Sequence, residues 1–172
     1  MGRYVGPACK RCRREGMKLF LKGARCYMSK CAIENGRPAP GAQRQQRGRK
    51  LSDYGVQLRE KQRLRRMYGM RENQFKLFFE RVARRRGVTG ELLLQMLEAR
   101  LDNVVYRLGF APSRNAARQM VRHNHIQVNS RKANVPSALM EPGTVITVRD
   151  RASSRENIAR NVEAASRELP PW

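Results

Sequence analysis

Acidic residues and long apolar segments are scarce in this sequence. Its 172 residues include 14 Asp and Glu against 37 Lys and Arg, which gives a formal net charge of +23. A surface this cationic favours polyanions, of which nucleic acids and anionic membranes are the two large classes. No apolar run approaches the roughly 18 residues of a membrane-spanning helix, and the first ten residues lack the apolar core of a signal peptide. We therefore expect a cytoplasmic protein that binds nucleic acid and not a membrane.

Catalytic motifs are also missing. The sequence contains neither a Gly-rich phosphate loop nor an HExxH pattern. Its two histidines, His123 and His125, have no acid or nucleophile at a spacing that places one beside them. The sequence therefore contains no recognisable catalytic residues, and we expect neither catalysis nor a small-molecule substrate.

What the sequence does contain is a cluster of all its cysteines near the start, as Cys9-x2-Cys12 and Cys26-x4-Cys31. Two close pairs at this spacing are typical of a structural zinc site, in which four thiolates close a tetrahedron and leave no position for substrate. An iron–sulfur cluster on the same thiolates is the alternative. Because residues 1–45 have too few apolar side chains for a core, we expect metal binding to order them.

Cap residues and apolar periodicity predict the other elements. The predicted helices cover residues 53–67, 73–86, 90–108, 114–123 and 155–168, with Ser52, Thr89, Ser113 and Ser154 as caps. Two short strands are predicted at 126–128 and 145–149, with a tight turn at Asn129-Ser130. Residues 35–50 have the composition of an extended basic linker.

A cationic face is predicted on the helix that follows Ser113. Arg114, Arg118 and Arg122 are spaced by four, so their guanidinium groups form a ridge along one side. Like charges at this spacing destabilise an isolated helix, which indicates that an anionic partner compensates. The ridge is suited to a phosphate backbone or an RNA junction. We expect Arg118, at its centre, to matter more for RNA binding than for folding.

A family resemblance rests on residues 97–111, which read LEARLDNVVYRLGFA, and on the pattern SR..AR..VRH.HI.VN over 113–129. The opening GRY, the stretch LSDYG at 51–55 and the 73–90 segment extend it over essentially the whole chain. This pattern resembles the bacterial small-subunit ribosomal protein number four, in its four-cysteine metal-binding branch. The second part resembles the RNA-binding motif named after that family.

The resemblance implies a mostly α fold with a small α+β RNA-binding insert and an N-terminal extension stabilised by a four-cysteine metal site. The implied domains are a basic zinc-type extension (1–45), a helical domain (46–98, rejoined by 155–172) and the RNA-binding domain (99–154). The implied function is a structural constituent of the small ribosomal subunit. It would bind the 5′ domain of 16S rRNA, nucleate assembly of the 30S body and influence translational accuracy. Small-subunit ribosomal protein number five and other 30S proteins are the implied protein partners.

Sixteen polar residues are expected to contact RNA. They are Arg47, Arg49, Lys50, Arg59, Arg63, Arg100, Arg107, Ser113, Arg114, Arg118, Arg122, His123, His125, Asn129, Arg131 and Lys132.

The sequence departs from the family pattern at Asn124 and Ser130, where glycine is usual, and it stops near Pro170-Pro171-Trp172, where family members continue into further strands. Two other functions remain open, because the same motif serves heat-shock RNA-binding proteins and tRNA synthetases, and pseudouridine synthases carry it as an appendage. The cysteine-rich start and the helices of 51–90 argue against a stand-alone module. A synthase would need a further catalytic domain, for which 172 residues leave no room.

Overall fold

The computed structural model of the protein describes residues 4–41 and 52–165. In chain order its elements are α1 (Ala8–Glu15), a 3₁₀ helix (Gly23–Tyr27), α2 (Asp53–Met67), α3 (Glu72–Ala83), α4 (Thr89–Glu98), α5 (Leu101–Arg107), α6 (Arg114–Arg122), β1 (Ile126–Val128), β2 (Arg131–Lys132), β3 (Ile146–Val148) and α7 (Ala152–Glu163). The expected mixture, mostly helix with a small α+β part, is confirmed. The chain divides into two compact units, Met1–Phe75 and Lys76–Trp172. The three segments expected from the sequence stay a prediction.

Two serine caps are confirmed. The Ser52 hydroxyl accepts a hydrogen bond from the Gly55 amide at the start of α2, at 3.2 Å. The Ser113 hydroxyl accepts from the Ala116 amide at the start of α6, also at 3.2 Å. Each cap satisfies an amide that has no partner within its own helix.

One predicted helix was wrong, because residues 90–108 form two helices instead of one. The chain is extended at Arg100, with φ −67° and ψ 135°. Around this point the Leu101 amide donates to the Ala138 carbonyl (2.8 Å) and the Met140 amide donates to the Ala99 carbonyl (2.7 Å). These long-range backbone hydrogen bonds replace helical ones, so α4 ends and α5 starts anew.

Smaller differences concern helix ends and unexpected helices. α3 ends at Ala83 rather than near residue 86, and α7 begins at Ala152 with Arg151 as its cap, so Ser154 lies inside it. The predicted extension of the last helix to 168 and the Pro-Pro-Trp ending lie outside the described residues. The helix α1 and the 3₁₀ helix were not predicted.

The three strands form an antiparallel sheet in the order β2-β1-β3. Val128 pairs with Arg131 across the predicted turn, whose Asn129 and Ser130 have φ of 46° and 63°. Two consecutive left-handed residues are what a two-residue hairpin with a type I′ turn requires. Asn124, just after α6, also has a positive φ (59°), so asparagine takes the place of glycine at this helix end. No helix in the described ranges is long and apolar enough to cross a membrane.

The second unit has the larger apolar core. Its buried members come from α5, the connection between α5 and α6, α6, β1 and α7, with Phe110, Met120, Ile146 and other partly buried residues packed around them. The buried members are Leu101, Val105, Tyr106, Ala111, Ala117, Val121, Ile126 and Ile158. In the first unit a small cluster consists of Cys12, Leu19 and Leu21, with Ala8, Met17, Ile33 and Met67 against it.

Candidate nucleic-acid interface

The helix α6 is fixed by its apolar face. Ala117 and Val121 are fully buried in the core, and α6 packs against α5. The neighbouring face, roughly 80° further around the helix at 3.6 residues per turn, carries the predicted ridge of Arg114, Arg118 and Arg122. The buried alanine and valine therefore determine which way the three guanidinium groups leave the helix.

The ridge does not point to solvent along its whole length. Arg118 Nη1 donates to Asp102 Oδ2 at 3.1 Å, and Arg114 Nε donates to Asn103 Oδ1 at 2.7 Å. The side chains of Arg118 and Arg114 keep 16% and 12% of their exposure. Arg122 is exposed. Two of the three guanidinium groups thus hold α6 against α5, and the third is available to a partner.

Asp102 also binds Arg100. Arg100 Nε and Nη2 donate to the two carboxylate oxygens of Asp102 at 3.1 and 2.9 Å. Both side chains are almost completely buried. The third nitrogen, Nη1 of Arg100, is buried without a hydrogen-bond partner among the described residues, and the guanidinium lies 5.7 Å from the Phe78 ring centroid. One buried carboxylate therefore carries two guanidinium groups, an arrangement that is costly to break.

A second carboxylate, Glu98, organises the neighbouring cations. Arg107 donates to it through Nε (2.9 Å) and Nη2 (2.7 Å), and Asn103 Nδ2 donates to Glu98 Oε2 at 2.7 Å. The Arg114 guanidinium stacks over Tyr106, with 4.6 Å from Cζ to the ring centroid. Arg107 still exposes 38% of its side chain, so it can contact a partner while it stays paired.

Exposed predicted residues gather at the end of α6 and on the β1–β2 hairpin. Arg122, His123, Asn129, Arg131 and Lys132 are all exposed. Arg131 and Lys132 form β2, which lies at the edge of the sheet, and Asn129 Oδ1 accepts from the Val145 amide at 2.9 Å. We call Arg122, Arg131 and Lys132 the exposed basic surface. Its cations have the accessibility that phosphate contacts require.

The two histidines lie beside each other, with ring centroids 6.2 Å apart. Nδ1 of His125 is 2.9 Å from the Ser154 hydroxyl. Burial lowers the pKa of His125, and the charges of His123, Arg151 and Arg149 lower it further. These surroundings favour the neutral imidazole of His125, which takes part in a hydrogen bond with Ser154.

In the first unit, two predicted residues of α2 also have acidic partners. Arg59 Nη1 lies 3.6 Å from Glu15, whose side chain is almost completely buried and also pairs with Arg66. Arg63 Nη1 donates to Glu60 at 2.8 Å. Glu15 thus ties α1 to α2. The predicted Arg47, Arg49 and Lys50 lie outside the described residues.

The four cysteines share one neighbourhood. Cys9 and Cys12 lie on α1, Cys26 lies in the 3₁₀ helix, and all but Cys9 are buried. The Lys22 amide donates to Cys26 Sγ at 3.4 Å. Burial raises the pKa of the Cys12 thiol, a backbone hydrogen bond at Leu19 opposes the rise, and the other three cysteines add to it.

All four cysteines are free thiols. Among residues 4–41 and 52–165, no three Cys, His, Asp or Glu side chains are close enough together to hold a metal ion. The thiols are therefore near enough to affect one another's ionisation without forming a closed coordination shell.

Sequence reasoning missed the acidic and amide partners Glu15, Glu98, Asp102 and Asn103. A signal for two of them was present, because Asp102 and Asn103 are polar residues inside the apolar stripe of α5. Polar side chains placed among core positions are usually hydrogen-bonded to a buried partner. Their role is to hold the arginines that the sequence had assigned to RNA.

Comparison with known proteins gives two family matches that together cover most of the chain. Residues 3–98 match the family described as "Ribosomal protein S4/S9 N-terminal domain", and residues 99–146 match the S4 domain. The chain is 54% identical over 173 residues to "Small ribosomal subunit protein uS4" of Thermus thermophilus, a match that covers 100% of this chain and 83% of the relative. It is 55% identical over 172 residues to the protein of that name from a Thermoanaerobacter species, covering 100% and 82%.

Proposed function

The chain belongs to the uS4 family of small ribosomal subunit proteins, and on this premise we propose that it is a structural, non-enzymatic component of the 30S subunit that binds 16S rRNA. Its place is then in the cytoplasmic ribosome. The observation that carries the proposal is the exposed basic surface on the α6 end and the hairpin, inside the segment that matches the S4 domain.

The arginines of this segment have two separate roles in the proposal. Arg122, Arg131 and Lys132 contact phosphates, because they are exposed. Arg100 and Arg118 instead hold the fold through Asp102. Arg107 does both, since it pairs with Glu98 and still exposes 38% of its side chain, whereas Arg114 holds α6 through Asn103. The RNA surface is therefore smaller than the number of arginines indicates.

Finer parts of the function rest on the family resemblance of the sequence. We propose that the RNA target is a helix junction in the 5′ domain of 16S rRNA, and that binding there nucleates assembly of the 30S body. Contact with small-subunit ribosomal protein number five and an influence on translational accuracy belong to the same proposal. The excess of cations over anions supports an assembly role, because it favours early capture of RNA.

We also propose that Cys9, Cys12, Cys26 and Cys31 hold one structural Zn²⁺, with an iron–sulfur cluster as the alternative. The spacing, the burial of three thiols and their mutual electrostatic effect support it. Four thiolates are a complete ligand set for zinc. The side chains must still move together to close the site, since no three of them are grouped closely enough. Bound metal would order the N-terminal extension and would take no part in catalysis.

The RNA proposal is tested by the salt dependence of binding to a 5′-domain fragment of 16S rRNA. The log of the association constant falls with the log of salt concentration, and each neutralised phosphate steepens this slope by up to roughly 0.9, the value for duplex DNA. We expect a steep slope for the intact chain, and tighter binding to the fragment than to a duplex of unrelated sequence at the same salt. A nearly flat slope, or equal affinity for both RNAs, contradicts specific rRNA binding.

A further inference from the structure

A cavity of about 260 Å³ lies in the second unit, lined by residues of α6 and α7. Its polar lining residues are Gln119, His123, His125, Asn157 and Asn161. Ala116 and Met120 supply apolar surface. The cavity belongs neither to the exposed basic surface nor to the ion pairs of Asp102 and Glu98. Its function is therefore unassigned.

Several groups in the lining are held in place. Asn161 Nδ2 donates to the Phe110 carbonyl at 2.9 Å, and His125 is anchored to the buried Ser154. Asn161 Nδ2 is also 3.5 Å from Asn157 Oδ1. These contacts orient one amide and one imidazole before any ligand arrives, which lowers the cost of ordering them on binding.

Other hydrogen-bonding atoms of the lining are open. Within the described residues, the Gln119 side chain, the Asn157 amide nitrogen and the Asn161 side-chain oxygen have no hydrogen-bond partner. A carboxamide offers both a donor and an acceptor, and a neutral imidazole does the same. The lining therefore matches a ligand that itself alternates donors and acceptors.

The charge around the cavity restricts the ligand further. No carboxylate and no Lys or Arg belongs to the described lining, so neither a cation nor a phosphate is matched inside. Cations lie close by, because Arg149 and Arg151 are near enough to His125 to lower the pKa of its imidazole, and Arg122 adjoins His123 in the chain. The ligand is thus a neutral group that belongs to an anionic chain.

From these observations we propose that the cavity holds one unstacked nucleobase of the bound RNA. The amides and imidazoles contact the hydrogen-bonding edge of the base, and Met120 and Ala116 contact its ring. The volume lies just below the roughly 300–1,000 Å³ of sites for drug-sized ligands, which suits a single base. The proposal rests on the proposed function, because it needs RNA on the neighbouring basic surface.

The test uses the full chain and the 5′-domain fragment of 16S rRNA. One double variant, Gln119→Ala with Asn157→Ala, removes two amides from the cavity. The matched control, Gln95→Ala with Asn134→Ala, removes two amides elsewhere in the same unit. All four side chains are exposed, and thermal melts check that both variants stay folded. Affinity, its salt slope and dimethyl sulfate reactivity of the RNA bases are measured for each protein.

We expect the cavity variant to bind about tenfold more weakly, as for the loss of one base contact. Its salt slope should equal that of the wild type, and one unpaired base should lose protection. The control should behave as wild type. Unchanged affinity and footprint overturn the base site while the proposed function stands. A slope that falls together with affinity also overturns it, because the contact is then to phosphate. If the wild-type chain does not bind the fragment, the proposed function fails as well.

Discussion

Residues 8–33 and residues 101–148 bury different kinds of side chain. The first segment buries Cys12, Leu19 and Leu21 with few apolar neighbours, and α1 is held to α2 by an ion pair at Glu15. The second segment, together with Ile158 of α7, buries a continuous apolar core and places a paired carboxylate, Asp102, beside it. Fixing a backbone residue costs about 1–2 kcal/mol, and burying a large apolar side chain returns about 1.5–3 kcal/mol. The second segment can therefore fold by burial, whereas the first needs another source of stability.

Removal of the proposed metal should have the largest effect on this contrast. We expect chelation, or Cys26→Ser, to release residues 8–33 while residues 101–148 keep their protection from hydrogen exchange. A structural zinc site contributes about 10 kcal/mol or more, which exceeds what a three-residue core supplies. Metal content and hydrogen exchange are measured on the RNA-free protein, with Ser29→Ala as a control that keeps all four thiols.

If residues 8–33 are equally protected from hydrogen exchange with and without chelator, metal does not stabilise this segment. The two segments would then be stabilised in the same way. A brown, iron-containing preparation would instead replace zinc with a cluster and leave the contrast intact.

Removal of the buried carboxylate of Asp102 should have the next largest effect, which is on the stability of the second segment. Asp102→Asn leaves the Arg100 charge buried and unpaired, and this should cost about 3–5 kcal/mol of unfolding free energy. Asp150→Asn is the matched control, because Asp150 pairs with Arg155 at an exposed position where such pairs contribute about 0–1 kcal/mol. Urea unfolding measures both. Equal, small losses would mean that the apolar core and the Arg114–Asn103 hydrogen bond hold α5 and α6 together without Asp102.

The arginines of α6 should separate folding from RNA binding. Arg118→Ala removes a hydrogen bond to Asp102, and we expect a loss of about 1–3 kcal/mol in stability. The sequence alone favoured an RNA role for Arg118, and its buried partner changes that expectation. Arg122→Ala should change stability by less than about 0.5 kcal/mol and reduce the salt slope of RNA binding by about 1. Thermal melts and filter binding on the same preparations compare the two variants. If Arg118→Ala weakened RNA binding and Arg122→Ala lowered stability, Arg118 would belong to the RNA surface.

The smallest expected effect is at the hairpin turn. Ser130 has a left-handed backbone, which costs an ordinary residue about 1–2 kcal/mol, while glycine loses about 0.5–1 kcal/mol through its freedom when unfolded. Ser130→Gly should therefore stabilise the protein by up to about 1 kcal/mol. Ser153→Gly, in the first turn of the helix α7, should destabilise it by up to about 0.5 kcal/mol. Unfolding midpoints that move in the same direction for both would show that the turn is not strained.

How far the sequence predicted this molecule depended on whether the signal was local. Ser52 and Ser113 were recognised as caps because their partners lie three residues away. The break at Arg100 was missed because the hydrogen bonds that cause it come from residues 138–140, for which no local pattern exists. α1 was missed because four of its eight residues are Lys or Arg, and its apolar residues, Ala8, Cys9 and Cys12, are too few to give a recognisable stripe.

The candidate site shows the same limit. The spacing of Arg114, Arg118 and Arg122 placed them on one face, as the helix α6 confirms. Spacing did not reveal which guanidinium groups had partners, because Asp102 and Asn103 lie on a different helix. The cavity near His125 depends on Asn157 and Asn161, far along the chain, so no motif in 113–129 indicated it.

The backbone bridge between Arg100 and Leu139 closes a long loop of the chain. The entropic cost of closing this loop must be offset by the hydrogen bonds at the bridge and by the apolar side chains buried inside the loop. The strand β3 and Ile158, which complete the sheet and the core, lie beyond Leu139. A fragment that ended at the bridge would therefore lack one strand of its sheet and part of its core, although its two ends would meet.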